Sequence, residues 1–184
     1  LTEELKKVSE ANNDIKNIPI LVKISPDITD SNLKDLCDII LMNSVDGIII
    51  SNTTLKRPYK GYGEEIAGGL SGKPLFKIST EQLKNVYEYT EGKIPLIGVG
   101  GIDSSEKAYE KIKNGASLVQ LYTGMIYQGP GLINEINEGV SRLLKEDGFS
   151  NISEAIGINT EVKVKWVLKY CIILDVQNQD KHLK

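Results

Sequence analysis

The sequence Leu96-Ile-Gly-Val-Gly-Gly-Ile-Asp-Ser-Ser105 indicates the fold class of the chain. It opens as a short, continuous apolar run, which is typical of a strand buried on both faces of a parallel sheet. Glycines follow the strand directly, and Asp103 and the two serines after it have the residue types that begin a helix. A strand, a glycine turn and the start of a helix form one βα unit.

The same pattern occurs four times. Short apolar runs predict strands over 20–24, 47–51, 96–100 and 118–122, and amphipathic stretches predict helices over 29–43, 79–89, 104–114 and 130–148. Alternating strands and helices indicate an α/β protein with a parallel sheet. Right-handed crossovers leave two architectures, a doubly wound sheet and part of a (β/α)8 TIM barrel. The 184 residues fit a complete doubly wound domain, but they fall short of the ~250 residues of an eight-unit barrel, of which the four predicted units are half.

The composition excludes several classes of function. Hydrophobic residues make up 40% and charged residues 26%, as in a globular domain, and the net charge of −3 provides no basic field for nucleic acid. No apolar run approaches the ~20 residues that span a bilayer. Cys37, Cys171 and His182 are too few for a disulfide framework, a metal site or a histidine-based triad. The charged start, Leu1–Lys7, is not a secretory signal, and without an initiator methionine we expect a segment upstream.

Glycines at the ends of the last two strands predict a phosphate site. The third strand ends in Gly98-Val-Gly-Gly-Ile102 and the fourth in Tyr122-Thr-Gly124. Glycine lets the backbone approach a ligand closely, and barrels bind phosphate in the loops after their last two strands. A Rossmann fold would need its glycine motif after the first strand, where Lys23-Ile-Ser-Pro-Asp27 has no glycine. The spacing therefore favours a barrel, with glycines that serve only as turns as the alternative.

Two further features are candidates for a site. Ser51-Asn-Thr-Thr54 follows the second strand and could either line a cleft or cap a helix, and the long, glycine-rich connection from Leu55 to Lys77 is typical of a functional loop. Lys23 lies within an apolar strand, where an unpaired charge is costly. It could point into a barrel mouth and be neutralised by a bound anion, or extend to solvent from a sheet edge.

Five motifs in order give the chain a family resemblance. They are Leu21-Val-Lys-Ile-Ser-Pro-Asp27, Asp46-Gly-Ile-Ile-Ile-Ser-Asn-Thr-Thr54, Gly68-Gly-Leu-Ser-Gly-Lys-Pro-Leu75, Ile97-Gly-Val-Gly-Gly101 and Gly115-Ala-Ser-Leu-Val-Gln-Leu-Tyr-Thr123. Together they resemble the C-terminal half of class 2, quinone-dependent dihydroorotate dehydrogenase, over residues 1 to 159. Ser153-Glu-Ala-Ile-Gly157 is similar to the end of that family. We therefore divide the chain into a half barrel, 1–160, and a divergent tail of unknown role, 161–184.

The resemblance implies an FMN-binding TIM barrel that oxidises dihydroorotate to orotate in de novo pyrimidine synthesis and passes electrons to ubiquinone. It places FMN against Lys23, Ser51, Gly72, Gly100, Gly101, Tyr122 and Thr123. The backbone amides of Gly101 and Thr123 would bind the phosphate. Asn52 and Thr53 would bind the orotate ring and carboxylate. The resemblance implies no metal.

The resemblance also implies what this chain lacks. The family's general base is a serine in the first half of the barrel, so it is expected upstream of Leu1, and by position neither Ser25 nor Ser71 is that base. The N-terminal region that forms the quinone tunnel and contacts the membrane would also lie upstream. The expected location is the mitochondrial inner membrane, or the cytoplasmic membrane of a bacterium.

We expect the chain alone to be an inactive fragment. Three alternatives remain at this point. The first is another FMN barrel, of the class 1 dihydroorotate or dihydrouridine type, and the second is a phosphate-binding half barrel without catalysis. The third concerns the tail, which could be a membrane anchor or a partner helix, although we favour read-through or divergent sequence.

Overall fold

The computed structural model describes residues 2–15, 18–43, 45–57 and 67–162, and within them forms one parallel sheet flanked by helices. The strands are β1 (Leu21–Ile24), β2 (Gly47–Ile50), β3 (Leu96–Val99) and β4 (Leu118–Gln120). The helices are α1 (Thr2–Ile15), α2 (Asp30–Met42), α3 (Phe76–Tyr89), α4 (Ser105–Lys113), α5 (Thr123–Gln128), α6 (Leu132–Glu146) and α7 (Ile152–Ala155). A 3₁₀ turn, Lys73–Leu75, precedes α3.

The sheet order follows the chain order, β1-β2-β3-β4, and all three pairings are parallel. The register places Lys23 beside Ile49, Ile49 beside Ile97, and Ile97 beside Leu118. The helices α2, α3 and α4 each connect one strand to the next. The four strands therefore end at the same edge of the sheet, and the loops after them meet there. This arrangement confirms the prediction of repeated βα units.

Two apolar clusters hold the helices in place. The first joins the sheet to α2 and α3 and is centred on Ile48, Ile50 and Leu96, which are completely buried. These residues form continuous apolar strands because a parallel sheet is covered on its faces. The second cluster lies mainly between α4 and α6, where Ile112 and Ile136 are buried. It holds α4 behind the loop that follows β3.

The predicted boundaries differ from the structure at the start of α3. The sequence predicted a helix from Ser79, but the helix begins at Phe76, directly after the 3₁₀ turn that contains Pro74. Proline fits the first positions of a helical segment because its missing N–H has no partner there. Ser79 is therefore a completely buried residue inside the helix instead of a residue near its start.

The connection from Leu55 to Lys77 was predicted as a loop, and its residues 58–66 lie outside the described residues, whereas its described end includes the 3₁₀ turn and the start of α3. Thr54 and Leu70 exchange two backbone hydrogen bonds, of 3.2 and 2.7 Å, which close it at its base.

The short helix α5 was not predicted at all. The predicted divergent tail, 161–184, lies almost wholly outside the described residues, which end at Val162.

The two outer strands each expose an apolar side chain. Leu21 on β1 is 45% exposed and Leu118 on β4 is 58% exposed, whereas Leu96 on the inner strand β3 is fully buried. The stability of the sheet therefore depends on its two inner strands.

Among the described residues, no helix combines the length and the apolar character needed to cross a bilayer.

We expect Leu96→Ala to lower the free energy of unfolding by ~2–5 kcal/mol, because it removes a fully buried side chain and leaves a cavity. Leu118→Ala, the same change on the exposed edge of the same sheet, should cost less than about 1 kcal/mol. Denaturant unfolding of the 184-residue chain measures both. Equal losses for the two variants would contradict the assignment of the core to the inner strands.

Candidate functional site

A cavity of about 210 Å³ lies at the edge of the sheet where the strands end. All nine residues that the resemblance assigned to FMN or substrate line this one cavity. Its lining consists of Lys23, Ser51, Asn52, Thr53, Ser71, Gly72, Leu75, Val99, Gly100, Gly101, Ile102, Leu121, Tyr122, Thr123 and Gly124. Five separate parts of the sequence therefore meet at one site.

One side of the cavity is polar and comes from the ends of β1 and β2. Lys23 lies on the edge strand and its side chain is exposed, so the cost expected of a buried charge does not arise. Ser51 is buried and donates a hydrogen bond of 2.9 Å from its Oγ to the Asn52 carbonyl oxygen. Asn52 and Thr53 are exposed at the cavity, and the Asn52 Oδ1 accepts a bond from the Thr53 N–H at 3.0 Å.

Residues 51–53 line the cavity, as the first of the two sequence interpretations expected, and they cap no helix among the described residues. Thr54, the last residue of the segment 51–54, has a structural role. Thr54 is completely buried, and its Oγ1 donates to Asp27 Oδ1 at 2.5 Å, while the Leu55 N–H donates to Asp27 Oδ2 at 2.7 Å. These bonds tie the loop after β1 to the loop after β2. They hold Asn52 and Thr53 at the cavity.

The other side of the cavity is formed by backbone. Gly100 and Gly101 have φ angles of +104° and +72°, in the region that favours glycine. Within the described residues, the N–H groups of both glycines have no hydrogen-bond acceptor. Free N–H groups of successive residues in a turn can form a concave site for an anion.

Gly101 has a structural reason to be glycine as well. A Cβ at this position would lie 2.5 Å from the Cβ and 2.8 Å from the Cα of Phe76, the first residue of α3. The sequence interpretation expected such a Cβ to enter the ligand space. The structure shows that it would first collide with the packed start of a helix, so the glycine permits this packing.

The loop 71–72 closes the cavity opposite β3. Thr123 and Ser71 form a hydrogen bond of 3.1 Å between their hydroxyl oxygens, and a Cβ at Gly72 would lie 3.1 Å from Thr123 Cγ2. Tyr122, in contrast, is 71% exposed. The end of β4 is therefore held against the loop through Thr123.

The sequence analysis missed one charged residue next to the site. Lys111 of α4 is completely buried, and its Nζ donates to Ser79 Oγ at 2.6 Å and to the Val99 carbonyl oxygen at 3.3 Å. Burial lowers the Lys111 pKa from 10.5 to about 7, and the nearby charge of Glu110 opposes this only in part. Helical spacing could have revealed it, because Lys111 follows the buried Ala108 by three positions.

The dihydroorotate dehydrogenase family model matches residues 1–144. Two relatives named dihydroorotate dehydrogenase (quinone) are each 48% identical, the mitochondrial protein of Arabidopsis thaliana over 165 residues and the protein of Nautilia profundicola over 162. These alignments cover 85% and 86% of this chain, but 36% and 45% of the relatives.

A solved structure of dihydroorotate dehydrogenase from Eimeria tenella, in complex with ferulenol, has a TM-score of 0.73 and 38% identity. The match covers 77% of this chain and 38% of that protein. The chain thus spans less than half the length of these relatives, and its four βα units have the fold of their barrel. The chain belongs to the dihydroorotate dehydrogenase family, as the five motifs predicted.

Proposed function

We propose that this chain forms the FMN-binding part of an enzyme that oxidises dihydroorotate to orotate and uses a quinone as electron acceptor, in de novo pyrimidine synthesis. The observation that carries the proposal is the single cavity that all nine assigned residues line. The quinone and the substrate are taken from the names of the relatives. A place at the mitochondrial inner membrane or a bacterial cytoplasmic membrane is proposed on the same basis.

The backbone side of the cavity fits the phosphate of FMN. The free N–H groups of Gly100 and Gly101 would bind it together with Thr123, and Gly72 has no side chain to fill the space beside Thr123. The Tyr122 position would flank the same group. Neutral N–H donors fixed in a rigid loop suit an anion because they need no reorganisation to bind it.

The polar side of the cavity fits the flavin ring and the substrate. Lys23 and Ser51 would lie beside the ring, and Asn52 and Thr53 would bind the ring and carboxylate of orotate. FMN, when bound, would supply the acceptor for two electrons from the substrate. This chain's own residues would orient the substrate and provide a positive charge near the ring.

The 184-residue chain should bind FMN without oxidising dihydroorotate. The resemblance places the serine base in a part of the family that this chain does not match, so no group here is assigned to take the C5 proton. The test is to add FMN to the purified chain, record the flavin absorbance bands after dialysis, and assay it with dihydroorotate and a quinone. Failure to retain FMN would contradict the proposed cofactor, and turnover of ~1–10³ s⁻¹ would contradict the missing base.

Asn52→Ala should weaken orotate binding to the FMN-loaded protein by roughly 5- to 150-fold, because a buried polar group of the substrate loses its partner at ~1–3 kcal/mol. FMN binding itself should change much less. Titration of orotate against the oxidised flavin spectrum reports the affinity. Asn159→Ala, at an exposed position outside the cavity lining, is the matched control. An orotate affinity equal to that of the control would remove Asn52 from the site.

Lys23→Met should make the reduction potential of bound FMN more negative, because a cation beside the ring favours the reduced form with its negative charge. Lys93→Met removes the same charge just before β3, at the opposite edge of the sheet, and should leave the potential unchanged. Spectroelectrochemical titration measures both. A potential in Lys23→Met equal to the control would show that Lys23 does not lie beside the ring.

A further inference from the structure

The least expected group near the cavity is the buried ammonium of Lys111. Its side chain is completely buried, and no carboxylate in the described part of the chain forms an ion pair with it. Its neighbour Lys107 differs, since Lys107 Nζ lies 2.7 Å from Asp103 Oδ1. A buried charge without a counterion is costly, so its retention needs a reason.

The contacts of Lys111 lead directly to the glycine loop. Its Nζ donates to Ser79 Oγ at 2.6 Å and to Val99 O at 3.3 Å, and it lies 5.2 Å from the centre of the Phe76 ring. Ser79 Oγ in turn lies 3.3 Å from the carbonyl oxygen of Gly100 and 3.1 Å from that of Phe76. Two successive loop carbonyls, of Val99 and Gly100, are therefore held by one buried cluster.

The geometry of the peptide bond gives these contacts a consequence. In a trans peptide, the C=O and the following N–H point in opposite directions. Because the Val99 carbonyl points to Lys111, the Gly100 N–H points away from it. Because the Gly100 carbonyl points to Ser79, the Gly101 N–H also points away. Val99, Gly100 and Gly101 line the cavity, while Lys111 and Ser79 lie behind them.

We propose that Lys111 is a positioning residue for phosphate binding. It orients the Gly100 N–H into the cavity through its own bond to the Val99 carbonyl oxygen and the Gly101 N–H through Ser79, and in its protonated form it attracts the phosphate dianion of FMN from behind the loop. This inference rests on the proposed function. Lys111 would act without contacting the cofactor, and the phosphate of FMN would be the counter-charge of its buried ammonium group.

The first test compares FMN with riboflavin, which has the same ring and no phosphate. Lys111→Met keeps the length of the side chain and removes its charge and its hydrogen bonds. We expect it to weaken FMN binding by at least tenfold, with riboflavin binding changed by less than threefold. Quenching of flavin fluorescence by the 184-residue chain measures both affinities.

The matched control is Lys113→Met, on the same helix. Lys113 Nζ lies 4.6 Å from the centre of the Tyr109 ring and 3.6 Å from Asp147, away from the glycine loop. It should bind FMN and riboflavin as the unchanged chain does. A purely structural role for Lys111 predicts an equal loss of both flavins. Our proposal predicts that the loss in Lys111→Met is confined to FMN and that riboflavin binding is kept.

The second test needs no substitution, so it holds even where Lys111→Met fails to fold. In ¹⁵N-labelled chain, FMN should move the amide proton resonances of Gly100 and Gly101 downfield, and riboflavin should leave them in place. Resonances that FMN does not move would overturn the proposal, as would FMN affinity in Lys111→Met within threefold of the control. If the unchanged chain binds riboflavin and FMN equally, the phosphate site itself is wrong. If it binds neither, the proposed function fails as well.

Discussion

Parallel pairing of β2 with β3 is the constraint on which the site depends. These two inner strands bury Ile48, Ile50 and Leu96 completely, and the outer strands are added to them in the same direction. Since all four strands run the same way, the loops after them must meet at one edge. Residues separated by up to a hundred positions in the chain thereby share one cavity, although the nine residues assigned to FMN or substrate do not belong to the two apolar clusters.

The strands and most helices could be predicted because each has a local signature. A continuous apolar run such as Gly47–Ile50 indicates a strand buried on both faces. The spacing of apolar residues along a helix such as α6 predicts which face is buried. The beginning of α3 could not be predicted in this way. Its first residues carry no capping side chain, and it is the 3₁₀ turn at Lys73–Leu75 that leads into the helix.

That these residues share one cavity was predictable, since glycines and small polar residues follow the ends of strands, while the roles proposed for them come from the family motifs. The hydrogen bonds that hold the site in place could not be predicted. The bond from Thr54 to Asp27 joins residues 27 positions apart, and the bond from Lys111 to Ser79 joins residues 32 apart. Such pairs depend on how the helices pack against the sheet. The reason for glycine at position 101, the closeness of Phe76, is likewise tertiary.

The two sides of the cavity are supported differently, and this bears on what each can do. The side proposed to bind the phosphate is built on β3, α3 and α4, where Ser79 and Lys111 are completely buried and the loop carbonyls are held by hydrogen bonds. On the side proposed for the flavin ring, Lys23 extends from the outer strand β1, with its side chain exposed. Rigid, buried support suits recognition of a fixed anion. An exposed charge on an edge strand gains its electrostatic effect only when a ligand or further protein excludes water from it. Binding of the phosphate and tuning of the flavin ring should therefore be separable properties, the first carried by contacts within these four βα units and the second by what covers β1.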